Sequence, residues 1–216
     1  RLVLKEMKFQ DAYLRPIAWR GAEMMGVSAQ KSKIHLAIAC WEWPAYFSPE
    51  ARLKGIRLDW AMYRRPDPAT APSKSKAAGL YMICTLSKHA AENKGYNDAL
   101  MLDWRGRIAE TTGANVFLVQ GGKIHTPVPD CFLDGITRRS VIALAKARGY
   151  DVIERPLMPE ELAKTQEVFI TGTAAEVTPI AEIGEYKFTP GAITRTLMDD
   201  YDRLVRTAPA ASAAAE

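Results

Sequence analysis

The residues of this 216-residue chain that could do chemistry begin with Lys76, in the stretch "SKAAG". Its small neighbours leave room for a bulky group to approach the ammonium. A lysine in a partly desolvated site has a lowered pKa, which frees its amine to form a Schiff base with an aldehyde. Lys74 in the preceding loop and Lys88 on a helix have less distinctive surroundings. The alternative interpretation is that all three are solvated surface lysines.

Two glycine-threonine turns offer binding sites for anions. In "FLDGITRR", Gly135 lets the backbone approach a ligand, and the free amides of Ile136 and Thr137 open a long helix whose dipole favours an anion. In "ITGTAAEVTP", a strand ends at Gly172, and Thr173 follows with exposed amides. Both turns suit a phosphate, although turns of this composition also serve only to cap an element.

Glu110 is the third candidate, at the end of a short strand in "RIAETTGANVF". It is either a surface carboxylate at a turn or a carboxylate that faces a protonated ring nitrogen. A lysine for an aldehyde, turns for a phosphate and a carboxylate for a pyridine nitrogen form the set that a pyridoxal phosphate enzyme requires. A phosphate- or nucleotide-binding protein without catalysis would need only the Gly-Ile-Thr turn.

The elements that position these residues follow from hydrophobic periodicity and turn signals. Prolines at 66, 68 and 72 predict a rigid extended loop before Lys76. A helix is predicted over 77–93, with a stripe at spacing four: Ala78, Met82, Leu86 and Ala90. Ile34 to Cys40 is predicted to be a buried strand. Hairpins are predicted around 104–106 and at Gly121-Gly122, and a helix from Thr137 to Gly149.

The pattern predicts a mixed α+β fold, in which helices cover a sheet. We expect residues 1–42 to be the remnant of a small N-terminal α/β domain, 43–50 an interdomain linker, 51–206 a large cofactor-binding domain and 207–216 a disordered tail. A further strand, a short helix and a second buried strand are predicted between residues 151 and 173.

Composition excludes several classes of protein. The net charge is only +4, with 29 basic and 25 acidic residues interspersed, which does not favour nucleic-acid binding. Three scattered cysteines give neither a disulfide framework nor metal-ligand spacing, which favours a cytoplasmic protein without a metal. No apolar stretch reaches the roughly 18 residues of a membrane span. Because the chain begins at Arg1, we expect that an N-terminal piece of the native protein is missing.

Four segments in order, "SKAAGLY", "AETTGANVFLV", "LDGITRRSVIALA" and "FITGTAAEVTPI", resemble the branched-chain amino acid aminotransferases of fold type IV. The resemblance runs from about Tyr13 to Val205. It implies pyridoxal 5'-phosphate as cofactor, with Lys76 as the Schiff-base lysine. It also implies that Tyr81 contacts the phenolic oxygen, that Glu110 faces the pyridine nitrogen and that Leu133 packs on the ring.

The resemblance assigns the anion sites as well. Ile136, Thr137 and Thr173 match donors to the cofactor phosphate, and the amides of Thr173 and Ala174 match the pair that receives the substrate α-carboxylate. At position 134 this chain has Asp where the family usually has proline. The family also has an N-terminal segment with a phosphate-binding arginine, which these 216 residues do not include.

Substrate choice would depend on residues near the N-terminus. "DAYLRP" resembles a family segment in which Tyr13 and Arg15 reach the site, where the arginine binds the distal carboxylate of glutamate. Trp43 and Tyr46 match aromatic residues of the side-chain pocket. Without the resemblance, Tyr13 and Arg15 are a strand tyrosine and a surface arginine.

The function implied is transamination between Leu, Ile or Val and 2-oxoglutarate. Alternatives on the same fold are a D-amino acid or R-selective amine transaminase and an aminodeoxychorismate lyase. The family forms homodimers or hexamers built from dimers.

Overall fold

The computed structural model describes residues 1–43 and 47–207, and the chain divides into two compact units, 1–46 and 47–216. The domain boundaries predicted at residues 42 and 50 stay a prediction. Beyond Thr207, the predicted disordered tail lies outside the described residues.

The first unit contains one short helix and a two-stranded antiparallel sheet. Helix α1 (Leu2–Met7) precedes β1 (Tyr13–Arg20), which pairs along its whole length with β2 (Ile34–Trp41). The strand predicted at Ile34 is confirmed, but its predicted burial is wrong, since Leu36 is 68% exposed. In the described part of this unit α1 packs against β2, yet Ile34, Leu36 and Ile38 of that strand remain exposed.

The second unit contains most of the helices and strands. In chain order they are α2 (Pro49–Lys54), β3 (Ile56–Trp60), α3 (Met82–Glu92), β4 (Asp98–Leu102), β5 (Ile108–Thr111), β6 (Asn115–Gln120), β7 (Lys123–Thr126), α4 (Ile136–Ala147), β8 (Val152–Glu154), β9 (Glu167–Gly172), β10 (Glu176–Ile183), β11 (Tyr186–Lys187) and α5 (Ala192–Arg206). Two 3-10 helices lie at Ala78–Tyr81 and Pro159–Lys164. Both predicted hairpins and the long helix that follows Gly135 are confirmed.

Six of the nine strands described in the second unit close into a ring. Strand β10 pairs with β3, followed by β4, β5 and β6, and β9 pairs with both β6 and β10. The sheet is mixed, because β3 runs parallel to β4 and β10 while most other neighbours are antiparallel. The α+β prediction is confirmed. The closed ring was not predicted, because strand neighbours distant in sequence leave no local signal.

Alternate residues of these strands supply two separate cores. Leu100, Val116 and Ile170 belong to one apolar cluster. Phe117 and Phe169, on the opposite face of β6 and β9, stack at 4.8 Å between ring centroids and pack with residues of α4 and α5. Helices therefore cover the outside of the ring, and any odd-numbered residue of β6 or β9 points to the helix side.

The stretch 77–93 departs from the prediction. It is a 3-10 turn followed by α3, and the predicted apolar stripe is wrong, because Met82 is 64% exposed and Leu86 is also exposed. Cys84, Ser87 and Ala91 are the buried residues of α3. Since α3 packs against β4, its small side chains face the sheet and its larger apolar side chains point outward.

The proline-rich loop is folded back on itself rather than extended. Turns occupy 68–70 and 73–74. The Asp67 carboxylate accepts a hydrogen bond from the Ala69 amide at 2.8 Å. This local hydrogen bond stabilises a turn in a segment whose prolines alone predicted an extended chain. Among the described residues, no helix has the length and apolarity that crossing a membrane would require.

Gly55 and Gly95 both have positive φ, at +89° and +80°, but only Gly55 is tightly packed. A Cβ at Gly55 would lie 2.7 Å from the Ala181 backbone nitrogen, whereas a Cβ at Gly95 would meet nothing within 4 Å.

We expect Gly95→Ala to lower the free energy of unfolding by about 1 kcal/mol, the cost of left-handed backbone. Gly55→Ala should cost at least about 2 kcal/mol more, because β3 and β10 must separate to admit the methyl group. Urea unfolding monitored by tryptophan fluorescence checks both. Equal losses in the two variants would contradict the packing at Gly55.

Candidate active site

A cavity of about 240 Å³ lies in the second unit, where the ends of β5, β6 and β9 meet the start of α4. The sequence-predicted residues that line it are Lys76, Tyr81, Glu110, Leu133, Ile136, Thr137 and Thr173. These residues come from four separate segments of the chain, which the fold brings together at this cavity.

Three side chains on adjacent strands form a row along the lining of the cavity. Glu110 of β5 is opposite Asn115 of β6, which is opposite Thr171 of β9. Directly paired residues project to the same face. The Asn115 amide donates to Glu110 Oε2 at 3.3 Å and to the Leu133 carbonyl at 2.9 Å. Thr171 Oγ1 is buried and has no partner among the described residues.

Glu110 is the most perturbed acid of the cavity. Burial raises its pKa to about 8, against the opposing influence of the positive charges of Arg65 and Lys76. The Glu110 side chain is 11% exposed, and the Arg65 guanidinium lies 3.3 Å from its Oε1. Near neutral pH the carboxyl group therefore holds a proton that a nearby base could take.

Arg65 was missed by sequence reasoning. Its amide donates to the Leu102 carbonyl at 2.8 Å, and its Nη1 lies 3.3 Å from Cys84 Sγ on α3. Burial is also the main reason that the pKa of the Cys84 thiol is raised. The "RRP" sequence gives no sign that one of two adjacent arginines is buried against an acid 45 residues later.

The Gly-Ile-Thr turn has the geometry expected for an anion site. Gly135 immediately precedes α4, and a Cβ there would clash with Asn115 Oδ1, so a larger residue would force the Asn115 side chain to move. The first amides of a helix lack intrahelical acceptors and remain available. Thr137 is buried, with its Oγ1 3.4 Å from the Tyr201 hydroxyl, while the Ile136 side chain is exposed.

Asp134, where the family usually has proline, has a structural role in this chain. Its carboxylate accepts from Arg138 Nη1 at 2.8 Å. Arg138 is buried and donates also to Glu154 at 2.6 Å, which ties the start of α4 to β8. The departure therefore leaves the amides of the turn in place.

Lys76 is exposed, so the prediction of a partly desolvated amine is wrong for this structure. An exposed residue that also lines the cavity lies at its mouth. Its charge nevertheless acts on Glu110. Tyr81, at the end of the adjacent 3-10 helix, is half-buried.

The β9–β10 turn contributes Gly172 and Thr173 to the cavity, whereas Ala174 is not among the lining residues. Among the described residues, no acceptor binds the backbone amides of Thr173 and Ala174. Both amides are therefore available to an anion.

The other predicted substrate residues belong to the first unit. The ring of Tyr13 lies 5.2 Å from Trp41 and 4.7 Å from Trp43, between centroids. Arg15 is exposed on β1. Tyr46 lies outside the described residues. The roles of Tyr13, Arg15, Trp43 and Tyr46 stay predictions.

One cluster outside the cavity has the composition of a metal site. Asp103, Asp130 and Cys131 place one ligand atom each within 4.8 Å of one another. Arg105 already occupies this cluster, at 2.7 Å from Asp103 and 2.8 Å from Asp130. The guanidinium pairs with both acids, and its positive charge weakens their attraction for a cation.

Comparison with known proteins matches residues 1–183 to the family model for class IV amino-transferases. The branched-chain-amino-acid aminotransferase of Pseudomonas aeruginosa is 36% identical over 208 residues, which cover 95% of this chain and 68% of that protein.

Solved structures agree with this match. The branched-chain amino acid aminotransferase of Escherichia coli superposes with a TM-score of 0.90 at 34% identity, over 94% of this chain and 68% of that one. An aminotransferase from Brucella abortus, solved with its cofactor PLP bound, gives a TM-score of 0.82 at 32% identity, over 95% of this chain and 74% of that one. This chain therefore belongs to the class IV aminotransferases, a family of fold type IV enzymes.

Proposed function

We propose that this protein transfers the amino group of Leu, Ile or Val to 2-oxoglutarate, with pyridoxal 5'-phosphate as cofactor. The observation that carries the proposal is the convergence of Lys76, Glu110 and the Gly-Ile-Thr turn on one cavity. The names of the relatives support this substrate class over the D-amino acid, aryl amine and aminodeoxychorismate alternatives. A protein that only bound phosphate would need neither the lysine nor the buried acid.

The residues present fit the cofactor. Glu110 is a buried acid that carries a proton near neutral pH and faces the cavity. Thr171 has a buried hydroxyl without a partner among the described residues, and Gly135 permits the close approach of backbone that a phosphate needs. A basic ring nitrogen, hydrogen-bond acceptors and an anionic group would satisfy these sites together.

When bound, the cofactor supplies an electron-withdrawing ring that stabilises negative charge on the substrate α-carbon. Lys76 would hold the aldehyde covalently until the substrate amine replaces it. The released Lys76 amine would then act as general base, taking the proton from the substrate α-carbon, and as general acid, delivering that proton to the carbon of the cofactor that bore the aldehyde.

Glu110 and Arg65 would control the ring nitrogen together. The Glu110 carboxylate would keep a proton on the ring nitrogen by pairing with it, and the Arg65 guanidinium, 3.3 Å from Glu110 Oε1, stabilises that carboxylate. Tyr81 would donate its hydroxyl to the phenolic oxygen, and Leu133 would pack on the ring face. Ile136 and Thr137 would donate to the phosphate.

We propose that two sets of groups recognise the polar ends and the side chains of the substrates. The free amides of Thr173 and Ala174 would receive the α-carboxylate that both substrates share. Arg15 would bind the distal carboxylate of glutamate, because a guanidinium forms two parallel bonds to a carboxylate. Tyr13, Trp43 and Tyr46 would supply the apolar surface for branched side chains.

We further propose a cytoplasmic homo-oligomer, either a dimer or a hexamer built from dimers. Unpaired thiols at Cys40, Cys84 and Cys131 support a reducing compartment. The exposed apolar residues of β2, among them Ile34 and Leu36, support an association that covers them.

A substrate panel tests the reaction. With 2-oxoglutarate as acceptor, we expect glutamate to form from L-Val, L-Leu and L-Ile at least about tenfold faster than from D-Ala or a chiral aryl amine. Coupled glutamate detection measures each rate. Faster turnover of D-Ala or of the aryl amine would replace the proposed substrate class.

Lys76→Ala should abolish turnover, by roughly 10⁴-fold or more, because no other amine lines the cavity among the described residues. Borohydride treatment followed by intact-mass measurement should show a cofactor adduct in the parent protein and none in the variant. Lys74→Ala, two residues away and also exposed, is the matched control and should keep both adduct and rate. A cofactor adduct in the Lys76→Ala variant would show that another amine of the protein binds the aldehyde.

The raised pKa of Glu110 predicts how stability depends on pH. Between its ordinary value of 4.5 and about 8, the folded cofactor-free protein keeps a proton that the unfolded chain has released. The contribution to stability is therefore complete below pH 4.5 and is lost as pH rises toward 8.

We expect the free energy of unfolding of the parent protein to fall by about 4 kcal/mol between about pH 5 and about pH 8.5 relative to Glu110→Gln, at about 1.36 kcal/mol per pKa unit. Denaturant unfolding at both pH values measures this difference. Glu160 is an exposed acid, so the control variant Glu160→Gln should show the same change in stability with pH as the parent protein. Parallel pH profiles for parent and Glu110→Gln would show that the carboxyl is ionised when buried.

A further inference from the structure

The turn between β9 and β10 has an unexpected residue at its most constrained position. Gly172 pairs with Glu176, which leaves a three-residue loop, Thr173 to Ala175. Glu176 has φ +51°, in the left-handed region. Hairpins of this loop length usually place glycine at the left-handed position, because a side chain there costs roughly 1–2 kcal/mol. Some interaction of the Glu176 side chain must offset this cost.

The Glu176 carboxylate has two cationic partners, each on a different helix. Arg52 of α2 lies 3.0 Å from its Oε2, and Arg206 of α5 lies 2.8 Å from its Oε1. The side chains of Glu176 and Arg52 are 20% and 30% exposed, so their pair is partly shielded from solvent, whereas Arg206 is 52% exposed. Neither arginine lines the cavity. The two ion pairs thus attach the turn to helices at either end of the second unit's sequence.

The same turn presents free backbone amides beside the cavity. Gly172 and Thr173 line it, and no described group accepts from the amides of Thr173 and Ala174. On the far side of the loop, the Thr178 hydroxyl donates to the Ala175 carbonyl at 2.6 Å. Glu176 and Thr178 therefore restrain the C-terminal side of a loop whose N-terminal side would bind the ligand.

We propose that Glu176 is a positioning residue, which through Arg52 and Arg206 holds the 172–176 turn so that its free amides receive a substrate carboxylate. The inference rests on the proposed function, since the carboxylate is the one that the amino acid and the 2-oxo acid share. Glu176 itself does not line the cavity. Its loss should weaken carboxylate binding without altering attachment of the cofactor at Lys76.

The test measures binding of an unreactive branched carboxylic acid, 4-methylvaleric acid, to the cofactor-loaded protein by isothermal titration calorimetry. Glu176→Gln keeps the size of the side chain and removes its charge, and we expect the dissociation constant to rise about tenfold. Glu176→Gly also removes the backbone strain, so it should remain as stable as the parent while binding is equally weakened.

In turnover, the KM values for both the amino acid and 2-oxoglutarate should rise together, with kcat changing less than about threefold.

Glu182→Gln is the matched control. Glu182 lies on the same strand and also has two cationic partners, Arg57 and Lys187, but it does not line the cavity or adjoin the turn. The Glu182→Gln variant should bind 4-methylvaleric acid as tightly as the parent protein does, even if its stability changes. Variants at 176 that bind within about twofold of the parent would overturn the positioning role alone. A parent protein that neither binds the acid nor transaminates would overturn the proposed function and this inference with it.

Discussion

The buried contact between Glu110 and Arg65 is the constraint on which the rest of the candidate site depends. Removing both charges from water is expensive, and replacement by apolar residues often leaves a protein equally stable. The pair is better explained by the proton that it controls. Arg65 is too weak to keep Glu110 ionised against burial, yet close enough to stabilise the carboxylate once a base takes its proton. The acid is therefore poised between its two states.

The ring of strands explains why these groups meet. Glu110 and Asn115 are opposite each other on the consecutive strands β5 and β6, and Thr171 joins them from a distant segment, because β9 pairs with β6 as well as with its hairpin partner β10. The start of α4 is fixed against the same row through Gly135 and Asn115. Since the helix side of β6 and β9 carries the second core, the cavity lies at the end of a rigid and well-packed surface.

The sequence predicted those parts of the fold whose signals are local. Gly121-Gly122 marked a hairpin, and Gly135 with the apolar periodicity after it marked α4, as the structure confirms. The stripe through Met82 and Leu86 was wrong, because spacing alone does not tell whether a sheet accepts large or small side chains. Arg65 and Thr171 were missed for a related reason, since their significance lies in partners, or in the lack of one among the described residues, that only the folded chain reveals.

Placement of Lys76 at the mouth of the cavity has a kinetic consequence. An amine that already faces solvent can meet an incoming aldehyde without any prior opening of the surrounding chain. Capture should then be a simple bimolecular event, whose rate grows in proportion to aldehyde concentration and does not level off at a ceiling set by a conformational step. The same accessibility also leaves the Lys76 amine within reach of other small carbonyl compounds, which compete with the aldehyde for it.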